Sequence, residues 1–193
     1  MENFNDIKKR ITEEIDRYFD YAEKEKLFIE INPSVEDIDY IKCQSFLIAI
    51  HILIANKIHW FLNLSLDHKQ DLNENDLKKI FFAKSEDIKL KDLKSFINDE
   101  DIYKIRKSPT GENIKKFIQF FNSNYSFSRY DESDERQPYT SLDAFDRIYK
   151  SRCIYAHEQK SGNALDYKDL KKYKVALYNF MDDVIKNLDL PID

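Results

Sequence analysis

A helical projection of residues 35–66 places apolar side chains on almost every side: Ile38, Ile41, Phe46, Leu47, Ile48, Ile50, Ile52, Leu53, Ile54, Ile58, Trp60, Phe61 and Leu62. A helix with apolar residues all round has no face to offer to water, so other elements must surround it. The rest of the fold is therefore expected to be built around this helix. Pro33 breaks the chain before it, Ser34 is a suitable N-cap, and Asp37 stands where a capping-box partner would. Only 2 glycines and 4 prolines occur in 193 residues. Turn-rich β folds need many such residues, so the chain is expected to be all-α, with long helices and few connections. Its length suits one domain spanning residues 1–193.

Three- and four-residue apolar spacing predicts a first helix over 4–27, with Phe4, Ile7, Ile11, Ile15, Tyr18, Phe19 and Ala22 on one stripe. Short helices are predicted after Asn73 or Asn75 and over 87–97. The turn Ser108-Pro109-Thr110-Gly111 leads into a helix with Ile114, Phe117, Ile118, Phe120 and Phe121, capped by Thr110 or Ser108. Residues 123–140 are polar and acidic and read as the longest loop. A helix from Ser141, capped by Thr140 or Ser141 with Asp143 in its first turn, stops at Gly162 and Asn163. A last helix is predicted over 166–189, ended by Pro191.

The formal net charge is −5, so any contact with nucleic acid must be made through a local basic patch. Cys43 and Cys153 lie far apart in helical patterns and read as buried thiols of a reducing compartment. The first 20 residues carry acidic groups throughout and no apolar run, unlike a secretory signal. The most apolar run, Phe46 to Ile54, is interrupted by His51, followed by Lys57, and too short for a membrane span. A cytoplasmic protein is expected, with no membrane contact.

Arg152-Cys153-Ile154-Tyr155-Ala156-His157, near the end of the helix from Ser141, is the candidate for chemistry. Leu142, Phe145, Tyr149, Cys153 and Ala156 fall on one stripe of that helix. Arg152 lies roughly 60° to one side of its centre and His157 roughly 80° to the other. If the stripe packs against a second copy of itself, both side chains are brought into a shared cleft. A histidine transfers protons in either direction near neutral pH. An arginine offers a fork of donors to a phosphate and stabilises its developing charge. RNA supplies its own nucleophile, the 2′-hydroxyl, so neither metal nor cofactor is required. Arg147, Lys150 and Lys160 would add local positive charge, and Tyr155 could stack on a base. A structural reading stands beside this one. A histidine in a last helical turn suits the carbonyl end of the dipole, and Arg152 could pair with Asp146, Glu158 or Asp166. His51 and His59, eight residues apart, have no Cys, Asp or Glu nearby to complete a metal site and read as core histidines.

The run Ser141 to Glu158, with its arginine, four residues and histidine, resembles the signature helix of the HEPN superfamily (higher eukaryotes and prokaryotes nucleotide-binding). It is closest to the prokaryotic RiboL-PSP-HEPN branch. Ser108-Pro-Thr-Gly-Glu-Asn-Ile114 and Tyr167-Lys-Asp-Leu-Lys-Lys-Tyr173 are similar to that branch as well. The resemblance implies a helical bundle of about 6–8 helices with the motif helix near the C-terminus, and a homodimer with a composite cleft. It also implies a metal-independent endoribonuclease of toxin–antitoxin or antiviral defence systems, with an antitoxin or defence-system partner and with Arg152 and His157 catalytic. Cys153 stands where the family usually has a polar residue, and Glu158 where glycine is common. One toxin branch has a modified tyrosine at the position of Gln159, so its modifying partner is not carried over. The alternative is a non-catalytic helical module that binds RNA or a nucleotide, or that dimerises and binds a partner.

Overall fold

The computed structural model describes residues 3–25, 38–70, 106–129, 140–158 and 167–192, without the side chains of 38–44, 70, 120, 155–158 and 167–169. Five helices make up the described chain: α1 (Phe4–Lys24), α2 (Ile38–Gln70), α3 (Gly111–Phe121), α4 (Ser141–Glu158) and α5 (Tyr167–Leu188). No strand occurs among the described residues, and one isolated bridge joins Arg129 to Thr140. The all-α expectation therefore holds for the described chain. The helices expected after Asn73 and over 87–97 lie outside the described residues, as do Ser34, Asp37, Gly162 and Asn163.

Helix α1 forms where the sequence supplies an apolar stripe and a cap. In α1 the stripe is Phe4, Ile7, Ile11, Ile15, Phe19 and Ala22, all buried, and Asn3 accepts the Asp6 amide. Tyr18, expected in that stripe, is only half-buried. The α5 end is a Schellman motif: Leu190 N–H bonds the Ile185 carbonyl and Asp189 N–H the Lys186 carbonyl. Asp189 there takes φ 48°, a left-handed conformation that costs a non-glycine residue about 1–2 kcal/mol.

Helix α2 is the core, as its composition requires. It packs against α1, α4 and α5. Leu47, Ile50, Ile54, Ala55, Ile58, Phe61, Leu62 and Leu66 are closed to solvent. The enclosure is incomplete, because Ile52, Leu53 and Leu64 are half-buried and Trp60 is 44% exposed. The helix runs beyond the Phe46–Ile54 stretch, and Ser45–Lys69 is long and apolar enough, by length and composition, to cross a membrane. In the bundle several of its polar residues meet protein groups. Lys57 pairs with Glu14 at 2.7 Å, Ser65 donates to the Phe61 carbonyl, and Lys69 donates to the Asp189 carbonyl and lies over the Phe121 ring.

Helices α2 and α5 both run antiparallel to α1. At one end Phe4 meets Phe61 and His68, and Asn3 and the Phe4 amide bond Ile192 and Pro191. At the other end Tyr21 meets Phe46 and Glu23 pairs with Lys171. Between them Asp16 accepts from Lys174 at 2.7 Å and from the Tyr178 hydroxyl at 2.9 Å. Burial opposes ionisation of Asp16, but these two donors outweigh it and hold its carboxyl below the usual value. Burial, and then the same contact, push the Tyr178 hydroxyl upward.

His51 is fully buried, and its Nδ1–H donates to the Leu47 carbonyl at 2.7 Å. Burial pushes its imidazole below the ordinary value, against the smaller opposing effect of that bond. As pH falls below about 6.5 the unfolded chain takes up a proton that the folded chain refuses, so stability declines there. We expect the melting temperature to fall between pH 7 and pH 5 more steeply for the unaltered chain than for His51→Leu. Parallel melting curves across that range would contradict this account.

Candidate active site

Helix α4 is fixed first at its start. Thr140 and Asp143 form a capping box: the Asp143 carboxylate accepts from the Thr140 amide at 2.9 Å and hydroxyl at 2.7 Å, and Asp143 N–H donates back to the hydroxyl. Ser141, fully buried, donates its hydroxyl to Asp183 of α5 at 2.5 Å. The same carboxylate accepts from the Ser128 amide and hydroxyl, both at 2.8 Å, while Asn187 exchanges two bonds with the Ser126 backbone. Two buried side chains of α5 thus bind the segment before α4 and the first residue of α4. The N-terminus of α3 is docked as well. Asp146 accepts from Gly111 N–H at 2.8 Å, a carboxylate placed where the helix dipole favours one. A Cβ at Gly111 would lie 3.4 Å from the Asp146 side chain, at van der Waals contact.

Packing against α2 on one side and α5 on the other closes a wide sector of α4. Leu142, Phe145 and Tyr149 are buried as the stripe requires, but so are Ser141, Ala144 and Ile148. The buried sector is therefore roughly 160° wide and centres on the angular position of Arg152. This shifts the expected geometry: Arg152 follows the core face, and His157 lies roughly 140° round the helix and about 7.5 Å further along it. The α4 start lies beside Asp183, and Arg147 beside Tyr173, so the Arg152 turn is at the α1 C-terminal end of the bundle.

The half-buried Arg152 guanidinium lies over the Tyr149 ring, 5.6 Å from its centroid. That ring is 5% exposed, meets the edge of His59 at 5.9 Å and stacks on Phe145 at 6.0 Å. Phe145 in turn stacks on Phe180 at 4.8 Å. Burial and the Cys153 thiol push the Tyr149 hydroxyl upward against the pull of Arg152, so it stays protonated and donates to the Lys107 carbonyl at 3.4 Å. The Arg152 side chain thus rests on an aromatic column that reaches the core. Cys153 is a free, half-buried thiol packed on that core.

The other candidates separate. Arg147 is exposed, with its guanidinium over the Tyr173 ring at 5.6 Å. Lys150 is exposed and pairs with Asp146 at 2.5 Å, so Asp146 serves Lys150 and Gly111 rather than Arg152. On the helix Arg147 and Lys150 lie roughly 140° and 160° from Arg152, so α4 does not gather these bases on one face. Lys150 instead shares a face with His157. Tyr155 and His157 belong to α4 by backbone, their side chains lie outside the described residues, and so does all of Lys160. His51 and His59 sit two turns apart, one bonded to Leu47 and the other against Tyr149. No group of three or more potential metal ligands occurs among the described residues. Tyr149 was expected on the α4 stripe and His59 as a core histidine, and neither was linked to Arg152. Tyr149, three residues before Arg152 on a helix, was the available signal. No family model matches the chain, and comparison with curated proteins and solved structures gave no match.

Removing the hydroxyl and removing the ring should separate the two functions of Tyr149. We expect Tyr149→Phe to lower stability by about 1 kcal/mol through the lost bond to Lys107. Tyr149→Ala should cost about 3–5 kcal/mol, because it empties the ring's place between Phe145 and Arg152. Equal urea midpoints for the two variants would contradict the described packing.

Proposed function

We propose that the protein is a metal-independent endoribonuclease of HEPN type that acts as a homodimer in a toxin–antitoxin or antiviral defence system. On this reading the full chain is a HEPN-like bundle of about 6–8 helices that works in the cytoplasm beside an antitoxin or defence-system partner. The observation that carries the reading is the seating of Arg152: a charged side chain held at the end of the core by Tyr149, one helical turn before His157. A guanidinium fixed in this way is preorganised to meet a phosphate.

The reaction follows from the two side chains. Arg152 binds the scissile phosphate and stabilises charge on its non-bridging oxygens. A neutral His157 takes the proton of the 2′-hydroxyl as its oxygen attacks phosphorus. The P–O5′ bond breaks, and a protonated His157 delivers a proton to the departing 5′-oxygen. The products are a 2′,3′-cyclic phosphate and a 5′-hydroxyl. In a two-fold dimer one histidine of the pair can serve as base and the other as acid.

One observation favours a second reading, a non-catalytic module that binds RNA or a nucleotide, or that dimerises. Cys153 turns a thiol onto the core beside Arg152 where a polar group would suit a cleft.

We expect His157→Ala and Arg152→Ala each to reduce RNA cleavage at least about a hundredfold, with an unchanged circular dichroism melt. A variant that cleaves like the unaltered chain would end the catalytic assignment. If Cys153→Asn gains cleavage that the unaltered chain lacks, the site is a decayed nuclease and the second reading describes the present protein.

A further inference from the structure

Tyr149 is the side chain at which three elements meet beside Arg152. Its ring meets the edge of His59 of α2 at 5.9 Å and stacks on Phe145 of α4 at 6.0 Å. Its hydroxyl donates to the Lys107 carbonyl at 3.4 Å, in the turn before α3. That turn is held a second time by α4, where Asp146 accepts the Gly111 amide at 2.8 Å. The buried ring is thus fixed on two sides and at its tip. A guanidinium resting on a ring so confined is ordered with it.

The kind of contact matters as much as its rigidity. Arg152 makes no ion pair among the described residues, and Asp146, the carboxylate that precedes it on α4, serves Lys150 and Gly111. A carboxylate would engage the guanidinium through its fork of N–H donors, the same groups that a phosphate needs. A ring face attracts the cation through its π-cloud and leaves that fork to another acceptor. We propose that Tyr149 is a positioning residue of the site: its ring holds the Arg152 guanidinium in place and leaves the donor fork to a substrate phosphate. This rests on the proposed ribonuclease reading for the substrate, and it assigns a role to a residue outside the Arg–His motif. Tyr149 touches no reacting atom on this account, so everything it contributes passes through Arg152.

The test is fluorescence anisotropy of the full chain with a labelled single-stranded 2′-O-methyl RNA, which lacks the nucleophile and stays intact. Tyr149→Leu should weaken binding at least about fivefold, and Tyr149→Phe, which keeps the ring, should recover most of that loss. In a chain already carrying Arg152→Ala, Tyr149→Leu should weaken binding no further. A packing role alone would weaken both chains alike. Tyr149→Leu binding like the parent, equal losses in the two backgrounds, or no binding by the unaltered chain would each overturn the proposal. Should Tyr149→Leu fail to fold, proton NMR of the unaltered chain decides. The Arg152 Nε–H resonance, assigned by its disappearance in Arg152→Lys, should lie upfield of free arginine under the ring current of Tyr149, and a free-arginine position would overturn the proposal. Coupled loss of binding with intact RNA in the cleavage assay supports the positioning role and removes only the catalytic reading.

Discussion

Helix α2 carries more apolar surface than one neighbour can cover, and the bundle follows from that excess. Burying a side chain the size of isoleucine stabilises by about 1.5–3 kcal/mol, and α2 offers such residues on successive turns in several directions. Three helices answer: α1, α4 and α5 all pack on it. Their antiparallel arrangement brings the described ends of the chain together through the Phe4–Pro191 and Asn3–Ile192 bonds. Two of the polar groups that α2 takes inside are matched individually, His51 Nδ1 by the Leu47 carbonyl and Lys69 by the Asp189 carbonyl.

Helix α4 inherits its position from this core. Packed between α2 and α5, it has a broad buried sector, and the Arg152 position lies at its centre. An arginine there needs an unusual partner, and the Tyr149 ring provides it at 5.6 Å. The column Arg152–Tyr149–Phe145–Phe180 links the motif to the hydrophobic core, so the motif's geometry depends on packing as much as on local helix formation.

Local order was readable in the sequence wherever its cause was local. The α1 stripe, the Thr110 cap of α3, the Thr140–Asp143 box and the α5 span each follow from residues within a few positions of one another. What the sequence hid is contact across distance. Asp183 and Asn187 look like ordinary polar residues of a last helix, yet they grip Ser126, Ser128 and Ser141, which lie 42 to 61 positions away. Asp146 looked like a partner for Arg152, but it docks α3 from 35 residues away. The buried seam on α4 is wider than its apolar stripe, because periodicity cannot tell one packing neighbour from two. Arg152 and His157 were visible as a motif. The aromatic seat of Arg152 was not, because its meaning depends on the burial of Tyr149.

On the proposed reading, the seat fixes a phosphate-binding cation and the next helical turn supplies the proton carrier. Incubating the purified chain with end-labelled single-stranded RNA in EDTA tests that claim most directly. The account expects fragments with 2′,3′-cyclic phosphate and 5′-hydroxyl ends. Intact RNA at every pH between 6 and 8, or fragments with 5′-phosphate ends, would contradict it.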